Sequence, residues 1–325
     1  MNTSTSLRRA KAPLALTAVV MLAASACGGG DAGSGDGGSG DGLSGAVKID
    51  GSSTVAPLTS AASEFYAEEQ PKVRVTVGTS GTGGGFKKFC VGETDISNAS
   101  RPIKDEEIKT CEENGVKYEQ FSVANDGLSV VVSKDNDWAD CLTVEQLKKI
   151  WEPGSKVNNW NQVDPKFPDE PLKLFGAGTD SGTFDYFTDA INGEEGASRT
   201  DYSGSEDDNV TVTGVSGTKG GMGYFGFSYF EENADKLKLL QIDGGDGCVT
   251  PSVETVQDGT YQPLGRQLFI YPSAKALQRP EVVGFVEYYV ENNKKIAEDS
   301  KFIPLNAEQE KELEAALAKL KESAK

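Results

Sequence analysis

Histidine is absent from all 325 residues. That removes the usual general base of a serine hydrolase and a common nitrogen ligand for zinc. Cysteine is scarce, five residues with no CxxC pair, so a zinc site has little to build on and no metal is expected. Positive charge is short as well. Against 50 Asp and Glu stand 32 Lys and Arg, a net charge of −18, the wrong sign for a surface that grips the phosphate backbone of nucleic acid. The N-terminal apolar run, residues 13–24, falls short of the roughly twenty residues a membrane span needs.

What is present begins with a leader. Arg8, Arg9 and Lys11 precede the apolar run, and Ala24-Ser25-Ala26 closes it, the pattern of an export signal over 1–26. Cys27 follows directly, in a setting that resembles a lipobox, so it is expected to become a lipidated first residue. Ala24 stands where Leu is usual, and Ala-Ser-Ala also suits ordinary signal peptidase. Residues 27–45, rich in Gly, Ser and Asp, cannot bury apolar surface and read as a flexible tether. Setting Cys27 aside leaves Cys90, Cys111, Cys141 and Cys248, an even number in an exported chain, which suggests two disulfides. Three connectivities are open. Proximity favours Cys90 with Cys111, and Cys141 with Cys248 then follows by default.

From Val47 onward, short β-branched runs alternate with helical stretches: VKIDG, then APLTSAASEFYAEEQ, then VRVTVG. A period that switches from two to about 3.6 and back signals βαβ units and a largely parallel sheet. LSVVVSK at 128–134 and LKLFGAG at 172–178 read as strands, and TVEQLKKIWEP at 143–153 as a helix stopped by proline. GGMGYFGFSYFEEN at 220–233 reads as a strand or bend inside the second half of the fold. EVVGFVEYYVENNKKIAED and AEQEKELEAALAKLKESAK close the chain as two amphipathic helices.

Three segments share a small-hydroxyl-glycine character: DGSSTVAPL at 50–58, VGTSGTGGGFKKF at 77–89 and GAGTDSGTFDY at 176–186. Each falls where a strand gives way to a helix. Any one of them alone is an ordinary N-cap or turn. Three converging helix N-termini, with unpaired N–H groups and partial positive charge, would make an anion site without metal or lysine. The glycine-rich segment is no ATP-binding P-loop, because Phe86 separates its glycines from Lys87 and no Gly-Lys-Ser/Thr ending follows.

With SGTGGGFKKF, TDISNASRPI at 94–103, TDSGTFDYF at 179–187 and FIYPSAKALQRPEVVGFVEYYV at 269–290, the chain resembles the PstS family, the phosphate-binding proteins of the bacterial phosphate-specific ABC transporter. The resemblance spans about 46–320. It implies a type II periplasmic-binding-protein fold: two α/β lobes, each a mixed, mainly parallel sheet flanked by helices, with the ligand in the cleft between them. Lobe 1 would comprise 46–126 and 262–325, lobe 2 would comprise 127–261, and the hinge would cross near 124–128 and 258–264.

Carried over residue by residue, the resemblance gives Ser53 and Thr54 to the first phosphate loop, Ser80 or Thr82 to the second, and Ser181, Gly182 and Thr183 to the far helix N-terminus. The charged residues depart from the familiar pattern, which puts Asp after the Ala-Ser of the third motif and Arg four residues before Ser-Gly-Thr. Here Arg101 follows Ala99-Ser100 and Ala177 takes the other place, so the guanidinium has changed lobes. Arg101 suits bidentate binding of phosphate oxygens. Rejecting sulfate needs a group that accepts the proton of monohydrogen phosphate. Asp180 is the first candidate for it and Asp126 the second.

The expected protein is therefore a monomeric, lipid-anchored binding protein on the outer face of the cell membrane. It would carry inorganic phosphate to an ABC permease without cofactor or catalysis. Sulfate, molybdate or tungstate stays open as the ligand. From another class, a secreted phosphatase-like hydrolase or sensor stays open too, although no base stands beside Ser53 or Ser181.

Overall fold

A computed structural model describes residues 42–325; the expected signal, the Cys27 anchor and most of the tether lie outside the described residues. The first part of the fold runs β1 (Ser44–Gly51), α1 (Ala56–Glu69), β2 (Lys72–Val77), α2 (Gly81–Phe89), β3 (Ile96–Ala99), α3 (Asp105–Glu113) and β4 (Phe121–Ser133). There follow β5 (Cys141–Thr143), α4 (Val144–Trp151), α5 (Trp160–Val163), β6 (Lys173–Ala177), α6 (Gly182–Asn192), β7 (Ser203–Ser205), α7 (Asp208–Ser216), β8 (Gly221–Gly226) and α8 (Phe227–Glu232). Short β9 (Leu237–Leu239), β10 (Gln241–Asp243), β11 (Cys248–Val249) and α9 (Val253–Gln257) lead to β12 (Gly265–Pro272). The 3-10 turn Ala276–Gln278 and helices α10 (Pro280–Glu291), α11 (Asn293–Asp299) and α12 (Ala307–Ser323) end the chain.

The main sheet has the order β2-β1-β3-β12-β4-β8-β6-β7, with β9 also on β4. Pairing is parallel within β1, β2 and β3 and within β6, β7 and β8, and antiparallel where β12 and β4 join those groups. A smaller sheet, β11-β10-β5, stands apart. Sequence periodicity located the parallel βαβ groups. It did not show the antiparallel centre, because both faces of β4 are buried and its long apolar run carries no strand direction.

Two hydrophobic cores flank this centre, as in the two-lobed fold. One gathers Val47, Ile49, Leu58, Phe121, Leu268, Phe285 and Leu313; the other gathers Leu128, Trp151, Phe187, Tyr224, Leu240 and Leu264. β4 passes between cores between Ala124 and Leu128, and the chain returns between Leu264 and Leu268. A third segment straps across the same place. Ile303 exchanges backbone hydrogen bonds with Asn125 (2.8 and 3.0 Å) and packs into the second core, while Leu305 packs into the first.

The disulfides are Cys90–Cys111, joining α2 to α3, and Cys141–Cys248, joining β5 to β11. One expected helix is two. The run from Glu281 breaks at Asn292 (φ −106°, ψ 14°), whose amide donates to Tyr288 O, and the turn lets buried Asn293 donate to Val123 O at 2.8 Å. Among the described residues no helix is long and apolar enough to cross a membrane.

Helix α2 lies close against β1 because it is built of glycine. A Cβ at Gly85 would stand 2.5 Å from Gly51 Cα and 3.0 Å from Asp50 O, both immovable backbone, whereas at Gly83 the nearest atom is Arg101 Nη2 at 3.8 Å. Gly85→Ala is therefore expected to lower unfolding free energy by about 1–3 kcal/mol in urea denaturation. Gly83→Ala should be neutral or stabilising by up to about 1 kcal/mol. Equal effects at both positions would contradict this packing.

Candidate functional site

Where the cores meet, a cleft of about 400 Å³ opens among the ends of β1, β3 and β12, the starts of α1 and α2, and one face of α6. Ser53 and Thr54 come from the turn between β1 and α1, and Thr82 from the first turn of α2. Ser100, Arg101 and Lys104 follow β3, and Arg266 stands on β12. The first-turn N–H groups of α1 and α2 have no intrahelical partners to take them. Gly81 opens α2 at φ +76°, a left-handed conformation that glycine adopts without strain.

Arg266 occupies the middle of this arrangement. Strand register sets it opposite Asp126, and Nε and Nη2 each lie 3.2 Å from Asp126 Oδ2. Nη2 also donates to Thr54 Oγ1 (3.2 Å) and Nη1 to Ser100 O (3.4 Å), while the guanidinium lies 3.4 Å from the Tyr186 ring centroid. Tyr186 is pinned in turn by its hydroxyl, which donates to Pro263 O at 2.9 Å. Burial raises the Asp126 carboxyl above its ordinary range although Arg266 opposes the rise.

Arg101 is held from behind. Its two terminal nitrogens each donate to one oxygen of Glu107 at 2.8 Å. Glu107 also accepts the Lys104 N–H. Burial works against the Glu107 charge, but the Arg101 and Lys104 bonds outweigh it and keep the carboxyl below its usual value. Thr82 Oγ1 and Ser100 Oγ lie 3.0 Å apart, and Ser100 N–H donates to Thr82 Oγ1 at 3.1 Å.

The other wall belongs to α6 and is acidic. Asp185 and Asp189, one helical turn apart, line the cleft with Glu195 just beyond the helix. Asp185 Oδ2 accepts Ser53 Oγ across the cleft at 3.1 Å. Burial raises the Asp185 carboxyl, partly offset by the Ser53 bond and Arg266.

Of the expected site residues, Ser53, Thr54, Thr82 and Arg101 are brought together at the cleft. Ser80 is not. It is exposed, and both its N–H (3.0 Å) and hydroxyl (2.7 Å) donate to Asp50, which Lys88 also holds. Asp180 is likewise outside, exposed, with its N–H on Glu206 at 3.3 Å. Ser181, Gly182 and Thr183 stand at the rim. Ser181 Oγ accepts Thr183 N–H as a cap (3.1 Å), and Gly182 O accepts Thr54 Oγ1 at 3.4 Å. A Cβ at Gly182 would lie 3.1 Å from Thr54 Cα and N, so only glycine permits that approach.

Arg266, Asp185 and Ser100 escaped the sequence reading. The available signal was scarcity: beyond the leader, arginine stands only at 74, 101, 199, 266 and 279, and Arg266 opens an otherwise apolar strand.

A family model described as a PBP superfamily domain matches residues 31–293. Protein SphX of Synechococcus elongatus is 48% identical over 264 residues, 80% of this chain and 78% of that protein. The phosphate-binding protein PstS of Staphylococcus saprophyticus is 42% identical over 282 residues, 86% of this chain and 85% of that one. Among solved structures, a possible phosphate binding protein from Planctomyces limnophilus is 45% identical with a TM-score of 0.83, covering 86% of this chain and 99% of that chain.

Removing Arg266 strands a buried carboxylate. Arg266→Ala is expected to destabilise the fold by about 3–5 kcal/mol near neutral pH. Asp126 then binds its proton more tightly folded than unfolded, so the variant should lose stability as pH rises above the ordinary carboxylate range. Urea titrations at pH 5 and pH 8 check it. A loss no greater at pH 8 than at pH 5 would mean that Asp126 does not depend on Arg266.

Proposed function

The chain belongs to the PBP superfamily and, within it, to the family of PstS phosphate-binding proteins, and from that premise we propose that it captures inorganic phosphate in the cleft and delivers it to an ABC permease for import. The observation that carries this reading is the convergence of two guanidinium groups, Arg101 and Arg266, with Ser53, Thr54, Thr82 and Ser100 at the starts of α1 and α2. Guanidinium forks match tetrahedral oxyanion oxygens, and hydroxyls and helix N-termini complete the shell without a metal.

The lobes of this reading are 46–126 with 262–325 and 127–261, with β4 and the approach to β12 as the hinge. Closure would bring α6 toward Thr54, and contact between Thr54 and Gly182 supports that direction. Ser181, Gly182 and Thr183 would then add donors from the far side. Lipidation at Cys27 would hold the protein at the outer membrane face, where a monomer serves the permease through its Gly/Ser/Asp tether. A hydrolase reading gains nothing from the cleft. The chain has no histidine, and the carboxylate that reaches Ser53, Asp185, lies among other acids that oppose an attacking alkoxide on an anionic ester.

Calorimetric titration of protein freed of copurified anion tests the proposal. Phosphate should bind one site, and Arg101→Ala should weaken it about 10- to 100-fold, the loss of a charge-assisted contact worth about 1.5–3 kcal/mol. Arg101→Lys should recover only part of that, since ammonium cannot make the paired contact. No phosphate binding by the unmutated protein would overturn the reading.

A further inference from the structure

The two walls of the cleft carry opposite roles. On one wall stand donors, the hydroxyls with Arg101, Lys104 and Arg266; on the other stand the carboxylates Asp185, Asp189 and Glu195. A ligand that only accepts hydrogen bonds suits the first wall and meets lone pairs at the second. A tetrahedral oxyanion that still carries a proton suits both.

Three carboxylates compete for that proton. Asp180 is exposed and lies outside the cleft. Asp126 is buried, but its Oδ2 faces both Arg266 nitrogens and it does not line the cleft. Asp185 lines the cleft, stands in the first turn of α6, and reaches Ser53, a residue of the first anion loop, at 3.1 Å. That contact shows that the carboxylate spans to where the anion's oxygens would lie.

Building on the phosphate reading, we propose that Asp185 is the acceptor that reads the proton of the bound oxyanion, so that the cleft takes hydrogen phosphate and its arsenate analogue and refuses sulfate. The exchange of charges between lobes is then complete. Arg101 occupies the position after Ala99-Ser100 where an acid is familiar, and the acid has moved to the opposite lobe on α6. With sulfate bound, Asp185 would face an oxygen lone pair, and a buried acceptor left without a donor carries a penalty larger than that of a neutral group.

The test is a pair of calorimetric titrations, phosphate and sulfate, on unmutated protein, Asp185→Asn, Asp180→Asn and Ser53→Ala. The amide of Asp185→Asn can donate to sulfate, so the phosphate-to-sulfate preference should fall at least tenfold, with sulfate binding gained and phosphate binding weakened. Asp180→Asn should leave both affinities unchanged. Ser53→Ala should weaken both anions with their ratio kept. If Asp185→Asn weakens both anions by the same factor, Asp185 only positions Ser53 and the proposal fails, although phosphate capture stands. If the unmutated protein binds no phosphate, the functional reading itself fails and this one with it. Should Asp185→Asn not fold, Asp185→Ser is read by the same ratio.

Discussion

One ion pair organises the centre of the molecule. Arg266 and Asp126 face each other on paired strands at the level where one core ends and the other begins. A buried pair of this kind is a weak source of stability, because desolvation consumes most of the attraction. Its contribution is placement. Asp126 fixes one edge of the guanidinium, Tyr186 covers its face, and the remaining edge meets Thr54 and Ser100. Arg266 thus touches both anion loops of one lobe, the hinge strand, and the first turns of α6. A ligand bound to it is in contact with every part that closure would move.

Much of this was legible in the residues. Alternating periods located β1, α1, β2 and α6, and the hydroxyl-glycine segments marked where strands end at the cleft. The parts that stayed hidden share a cause. Arg266 meets Asp126 through strand register across 140 positions, which no local pattern encodes. Within the glycine run, Ser80 and Thr82 were equivalent on paper; the positive φ of Gly81 and the pull of Asp50 turn Ser80 outward and leave Thr82 in the cleft. On α6 the choice between Asp180 and Asp185 rested on which residue precedes the helix and which faces inward from its first turn, a matter of helix phase that capping chemistry does not report.

An anion site in a chain of net charge −18 is consistent with the ranges of the forces involved. Charges elsewhere on the surface are screened beyond about 8 Å at physiological salt, while the donors of the cleft act at contact. The acids of α6 are the exception, being close enough to matter. They set a condition on the ligand: it must bring a proton.

The most direct measurement is a crystal structure of the protein grown with phosphate after removal of copurified anion. The expected result is one tetrahedral anion between the starts of α1 and α2, contacted by Arg266, Arg101, Ser53 and Thr82, with an Asp185 oxygen at hydrogen-bond distance. An anion held elsewhere, or a cleft in which Arg266 keeps its present contacts and no anion is bound, would contradict the account.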